Sequence, residues 1–320
     1  MSQANYSQID SLNLEQITYG ELNWINISPP TEKAREYLAT NYHFHPLDLD
    51  DVFSRIQRPK MDEYKDYIFF VFNFPRYQKK EQILCQSQVS VFIGENYLIT
   101  MHKRELKPLY NLFQDCRDND ELQQDILSNG PGYLLYRILD RLVDYCLPIL
   151  NKTGNAIEEV EDHIFAPRAR RTVREISRLR RDVISFRRTI WPMRTLFGSI
   201  ETRLSRFSNK DLSVYFGDMV DHLEKIWDGL NEYKEIIEGL HATHDSLDSN
   251  RLNDALRILT ILSTIGTVQT VLVSFYGMNV VLPGGVDTTG GNPFAWIILL
   301  SIMLVIMGIM LFYFFRKGWI

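Results

Sequence analysis

Residues 258 to 286 contain no Asp, Glu, Lys or Arg. Within that run Ile258 to Phe275 supplies 18 residues, about the shortest helix that crosses a bilayer, and Phe294 to Phe315 supplies 22, a comfortable span. Two apolar runs of this length in succession exceed ordinary core helices. They predict a two-helix membrane anchor rather than the buried hairpin of a soluble core. Charge sets its orientation. Arg251 and Arg257 precede the first run and Arg316 and Lys317 follow the second, while the loop between has no Lys or Arg and one acid, Asp287. Both termini are therefore expected on the cytoplasmic side of the membrane and the loop outside. Trp296 and Trp319 sit where interfacial aromatics are expected, at opposite ends of the second span.

The rest of the chain reads as water-soluble, with a mean hydropathy of −0.18 over all 320 residues. A net charge of −5 gives no electrostatic reason to bind nucleic acid. Cys85, Cys116 and Cys146 lack zinc-site spacing and three cannot pair completely, so they are expected as reduced thiols. The opening MSQANYSQIDSLNLEQ lacks a charged-then-apolar pattern, and no cleavable signal peptide is expected. No P-loop, nucleophile elbow or metalloprotease motif is present, so an enzyme is not expected.

Six segments follow from composition. Residues 1–132 form a cytoplasmic α/β domain: YIFFVFNF (67–74) reads as a buried strand, QVSVFIGENYLITMH (88–102) as a hairpin, and 29–42 and 45–56 as helices, the first started by Pro. After the turn NGPGY (129–133), residues 133–208 form a helical hairpin, with one helix over 133–164 and the next from 168 to about 200. The second carries nine arginines between Arg168 and Arg188 and apolar Val173, Ile176, Leu179, Val183, Phe186 and Ile190 at helical spacing. Its charge is expected as a solvated face paired with Glu158, Glu159, Glu161 and Asp162. Residues 209–276 form a stalk helix running into the first span, about 100 Å long if continuous. Leu212, Phe216, Met219, Leu223, Ile226, Leu230, Tyr233, Ile237 and Leu240 alternate spacings of four and three, a heptad seam. Residues 277–293 are the outer loop, 294–315 the second span and 316–320 a basic tail.

Inside the first span Ser263, Thr267, Thr270, Ser274 and Gly277 fall four and three apart and line one helix face. Such a stripe serves either close helix packing or a water-filled pore. Extended backwards, the register passes Thr260, Leu256, Asn253, Ser249, Ser246, Ala242 and Gly239 and then Glu235, Glu232, Asp228, Lys225, Asp221 and Asp218, on a face away from the apolar seam. An acidic approach followed by neutral oxygens concentrates a cation and then meets its hydration shell, which favours the pore. Two spans cannot enclose a pore, so a ring-shaped homo-oligomer is expected. Asn279 then forms a ring of carboxamides at the outer mouth, matched to a hydrated ion such as magnesium.

The sequence resembles the CorA family of magnesium and cobalt transport proteins over nearly its whole length. WINI (24–27), FHPLDLDDV (44–52), RPKMDEYKDYIFFV (58–71), TIWPMR (189–194), YFGDMVDH (215–222), YGMN (276–279) and RKGWI (316–320) carry the resemblance in order. It implies an α+β membrane protein: an N-terminal cytoplasmic α/β domain, a long helical stalk and two C-terminal transmembrane helices, assembled as a funnel-shaped homopentamer in the cell membrane. Gly277, Met278 and Asn279 match the family's selectivity motif. Asn253, Leu259 and Thr270 match pore positions, and Leu256 stands where the family can have Met. Asp51, with Asp50 beside it, and Asp218 match the two sides of an intersubunit divalent-sensing site. The resemblance implies Mg2+ as cargo and regulatory ligand, with Co2+, Ni2+ or Zn2+ as further candidates. Thr267-Val268 replaces the common Met-Pro, Ser274 a common Gly, and the outer loop has no Glu. A zinc transporter of the ZntB kind and a non-transporting membrane-anchored sensor are the alternatives. His241 and His244, three apart, are read as exposed helix histidines or as zinc ligands.

Overall fold

The computed structural model describes residues 5–53, 57–78, 83–164, 169–278 and 295–319. The chain divides into two compact units, Met1–His241 and Ala242–Ile320.

The first unit is organised by a seven-stranded mixed sheet: β1 (Asn5–Ile9), β2 (Leu14–Tyr19), β3 (Leu22–Ile27), β4 (Lys60–Glu63), β5 (Tyr67–Gln78), β6 (Ile83–Gly94) and β7 (Tyr97–His102). Their order is β1-β2-β3-β7-β6-β5-β4. Among the described strands only β3 and β7 pair in parallel. That pairing demands a long crossover, and the crossover holds α1 (Glu32–Tyr42) and α2 (Pro46–Phe53) together with strands β4 to β6. The expected hairpin is β6 and β7, in register from Val89 opposite His102 to Ile93 opposite Leu98. YIFFVFNF reads as continuously apolar because both faces of β5 are covered. Phe69 and Val71 face a core with Leu38, Phe44 and Leu49 beneath α1 and α2. On the opposite parity Phe72 meets Phe197 edge-on at 5.9 Å.

Helix α1 begins at Glu32, not at the prolines: the Thr31 side chain accepts from the Ala34 N–H and caps it. On the second face lie α3 (Lys107–Asp118) and α4 (Asp120–Leu127), then α5 (Pro131–Asp144), α6 (Cys146–Asp162) and α7 (Ala169–Leu204). The NGPGY turn works as read. Gly130 takes φ +90°, and Pro131 opens α5 at a position where its missing N–H costs nothing. The single helix expected over 133–164 is two, parted at Tyr145. Pro148 has no N–H for the Asp144 carbonyl, and its ring crowds that group.

On α7, Ile176, Leu179, Val183, Phe186 and Ile190 are buried, while Val173 is 37% exposed. The ion pairs seen on α7 run to Glu224 from Arg194 at 2.9 Å and to Glu63 from Arg203, whereas Glu158, Glu159, Glu161 and Asp162 are exposed. Phe165 to Arg168, at the expected hairpin tip, lie outside the described residues. Cys85, Cys116 and Cys146 are free thiols, the last two buried.

Helix α8 (Ser213–Tyr276) runs 64 residues without a break. Of the seam, Leu212, Phe216, Met219, Leu223, Ile226, Leu230, Ile237 and Leu240 are buried and Tyr233 is half-buried. A Cβ on Gly154 of α6 would run into the Tyr233 hydroxyl and lie 2.7 Å from its Cζ, so the ring would have to move.

The second unit contains the C-terminal part of α8 and α9 (Ala295–Arg316). Among the described residues α8 is the helix long and apolar enough to cross a membrane, and only 6% of its most apolar 18-residue window is buried. Trp319 folds back on Phe314, ring centroids 5.7 Å apart. The Trp296 side chain lies outside the described residues.

Candidate functional site

Helix α9 covers one side of α8 only. Ile261 is buried and Ile265, Val268, Gln269 and Leu272 are half-buried, as are Met303, Ile306, Met307 and Met310 of α9, with Phe314 buried. These spacings are the three and four of a helical face. Gln269 Nε2 donates to the Met303 carbonyl at 3.0 Å and joins the two helices. Its Oε1 is buried with no partner among the described residues.

Residues two positions apart on a helix are about 200° apart around its axis. Ser263, Thr267, Thr270 and Ser274 each follow a contact-face residue by two positions: Ile261, Ile265, Val268 and Leu272. The hydroxyl stripe is therefore opposite the α9 contact. All four are exposed in the single chain, as are Gly277, Met278, Thr260, Asn253, Leu256 at 49% and Leu259 at 59%. Thr260 Oγ1 donates to the Leu256 carbonyl at 2.7 Å, and Thr270 Oγ1 to the Gly266 carbonyl at 2.8 Å. With their protons committed to the helix, the Thr260 and Thr270 hydroxyls offer only lone pairs outward. Such a face accepts hydrogen bonds from water and is suited to a hydrated cation. The helix closes at Gly277, whose N–H donates to the Val273 carbonyl at 2.9 Å. Asn279, the third residue of the predicted motif, lies outside the described residues.

The apolar helix α8 thus turns its hydroxyl stripe away from α9 and is followed by Gly277-Met278. Residues 19–317 match the family described as CorA-like Mg2+ transporter protein. The chain belongs to this family. It is 29% identical over 303 residues to the cobalt/magnesium transport protein CorA of Thermotoga maritima, covering 93% of this chain and 83% of that protein. It is 24% identical over 310 residues to CorA of Methanocaldococcus jannaschii, covering 96% and 95%. The complete structure of the M. jannaschii CorA magnesium transporter superposes with a TM-score of 0.82 at 23% identity, covering 99% of this chain and 98% of that one. The CorA fold thus extends through both units.

The acids matched to the CorA sensing site already have partners within one chain. Asp51 Oδ2 is 2.7 Å from Lys60 Nζ, which also contacts Asp62, and Asp50 pairs with Arg35. Burial alone would lower the Lys60 pKa, but the Asp51 and Asp62 carboxylates raise it above the ordinary lysine value, so the ammonium stays charged. Asp218 is largely exposed, 3.8 Å from His222 Nε2, and His222 Nδ1 is 3.7 Å from Asp144. Among the described residues no group of three or more His, Cys, Asp or Glu is arranged to hold a metal within one chain. His244 is 4% exposed and 3.6 Å from Asp248. It is not the exposed histidine its sequence position suggests, and no zinc cluster forms around it among the described residues. The lysine and arginine that neutralise Asp51 and Asp50 were missed in the sequence because they approach from another strand and another helix.

Proposed function

We propose that this chain is one subunit of a membrane channel that carries divalent cations, magnesium foremost, into the cell down their electrochemical gradient. The observation that carries the reading is the exposed hydroxyl stripe on α8, opposite the face that α9 covers. A helix this apolar and this unburied needs lipid or further copies of itself, and water-facing oxygens within its span need an aqueous partner. Several copies around an axis satisfy both demands, with Asn253, Leu256, Leu259, Thr260, Ser263, Thr267, Thr270 and Ser274 toward the axis and α9 toward lipid. A homopentamer with both termini cytoplasmic is the assembly we assign, as the family resemblance implies.

In this reading Gly277, Met278 and Asn279 form the outer filter. The Asn279 carboxamides accept from the water shell of magnesium, which dehydrates reluctantly. Hydroxyl lone pairs relay the hydrated ion inward, and Leu256 and Leu259 form the apolar constriction that gates by excluding water. Residues 1–132 and 133–208 form the cytoplasmic sensor, 209–276 the stalk and first span, 277–293 the outer loop, 294–315 the second span and 316–320 the basic tail. Asp50 and Asp51 of one subunit and Asp218 of its neighbour bind cytoplasmic magnesium and close the ring. Their carboxylates repel when empty and are bridged when occupied. Cobalt and nickel are further cargo.

The test is magnesium entry into proteoliposomes loaded with a magnesium-sensitive dye under an inside-negative potential, comparing wild type with Asn279→Ala. Potential-driven entry that collapses in the variant supports the reading. Zinc entry that follows a proton gradient while magnesium stays out contradicts it, as does the absence of any divalent flux.

A further inference from the structure

A cavity of about 800 Å³ opens in the first unit where the chain before β4, the middle of β5, α7 and the N-terminal part of α8 meet. It is unrelated to the stripe. Arg58, Arg187 and Arg188 line it, together with Trp191, Trp227 and Asn73. Among the described residues none of the three guanidiniums pairs with a carboxylate. A chain of net charge −5 thus gathers three arginines around one opening, beside the Arg194–Glu224 pair.

The details point to a particular ligand chemistry. The Arg187 guanidinium stacks 4.8 Å from the Trp227 ring centroid. Stacking occupies the faces of a guanidinium and leaves its in-plane N–H donors for an anion; the buried Nε of Arg187 has no partner among the described residues. Trp191 packs against Trp227 at 4.9 Å and has the Arg194 guanidinium 5.7 Å from its ring centroid, yet is 55% exposed, so part of the indole remains accessible. Asn73 is 2% exposed; its Nδ2 donates to the Gln57 carbonyl at 2.7 Å, and its Oδ1 is buried without a partner among the described residues. A buried acceptor in a native cavity calls for a donor from outside the chain. Three fork-shaped cations suit phosphates, an open indole suits an aromatic ring, and the volume suits one small molecule.

We propose that this cavity binds a nucleoside polyphosphate, with the base on Trp191, the phosphates on Arg58, Arg187 and Arg188, and Asn73 Oδ1 accepting from a ligand N–H or O–H. The site is independent of the transport reading and survives its failure.

The test uses the full-length protein in detergent with a metal chelator present, titrated with ATP, adenosine or tripolyphosphate and followed by equilibrium dialysis and tryptophan fluorescence. ATP is expected to bind saturably and to raise the melting temperature. Adenosine and tripolyphosphate should each bind at least about tenfold more weakly, since each keeps only part of the contacts. Trp191→Ala and Arg188→Gln, both at exposed positions, should weaken ATP at least about fivefold while leaving the ligand-free melting temperature in place. No saturable ATP binding up to millimolar concentration overturns the proposal. Tripolyphosphate binding as tightly as ATP, with Trp191→Ala unchanged, also overturns it and leaves a simple anion patch. The comparison of ligands on the unaltered chain decides the matter even if a variant unfolds.

Discussion

Gln269 and Thr270 are neighbours in sequence with opposite expected roles, and exchanging each for Met separates them. Gln269 faces α9: it donates to the Met303 carbonyl, and its Oε1 is buried without a partner among the described residues. Gln269→Met, nearly the same size, loses the interhelical bond, about 0.6 kcal/mol on average within a membrane. It also removes an unpaired buried acceptor, whose cost is about 1–3 kcal/mol. The variant should be as stable as wild type or up to about 2 kcal/mol more so, with ion flux preserved. Thr270 lies about 100° further around the helix, on the exposed stripe. Thr270→Met deletes a hydroxyl oxygen from every subunit at one level and replaces it with an apolar chain. Losing even about 1 kcal/mol of ion or water contact there slows passage about fivefold, and the change repeats in each copy, so a loss of at least about tenfold is expected. Thermal melting in detergent gives the first quantity and magnesium flux into proteoliposomes the second. Flux abolished by Gln269→Met and spared by Thr270→Met would show that the two faces have been assigned the wrong way round.

Gly154→Ala and Gly229→Ala both gain about 1 kcal/mol of helix propensity, but the added Cβ meets the Tyr233 ring at 2.7 Å in the first and only the Leu150 Cδ2 at 3.2 Å in the second. Melting should show the Gly154 variant less stable than the Gly229 variant by about 1–3 kcal/mol; equal stability would rule out the ring contact. His102 is buried, its Nε2 3.1 Å from Asn26 Oδ1 and its Nδ1 accepting from the Arg104 N–H. Burial, with the nearby Arg104, lowers its pKa to about 4. The unfolded chain therefore takes up a proton between about pH 6.5 and 4 that the folded chain refuses, so this stabilisation is complete above pH 6.5 and fades as pH falls. Relative to His102→Gln, the wild type should lose about 3 kcal/mol between pH 7 and 4; parallel pH profiles would contradict this. Lys60→Met frees Asp51 from a half-exposed ion pair worth up to about 1 kcal/mol. Half-maximal closure by cytoplasmic magnesium should then shift to lower concentration by up to about fivefold, and an unchanged value would remove Asp51 from the sensing site.

Local periodicity made much of the architecture legible. Strand β5 and the β6–β7 hairpin, the seam on α8 and the hydroxyl stripe nearer its C-terminus are all spacing patterns of two, three and four that a chain displays before it folds. The parallel pairing of β3 with β7 was not legible, since Asn23 and Tyr97 are brought together by a crossover that no local pattern announces. The break at Tyr145 was legible in Pro148 but hidden by a strong apolar face running through it. At the candidate sensing site, side-chain identity pointed to Asp50 and Asp51, while Arg35 and Lys60 reach them only through the tertiary fold. The basic cavity is likewise assembled from residues 58, 73, 187, 188, 191 and 227, too dispersed to form a motif.

The most direct measurement of the central claim is a block of flux from inside the stripe. Thr267→Cys is placed in a background where Cys85, Cys116 and Cys146 are replaced by Ser or Ala, reconstituted, and treated with a charged, water-soluble thiol reagent while magnesium entry is recorded. Thr267 is exposed on the face opposite α9, so the account predicts that flux begins normally and stops on modification, and that the cysteine-free parent is unaffected. Continued flux through a protein shown by mass to be fully modified at position 267 would contradict it, because the ion would then be passing elsewhere.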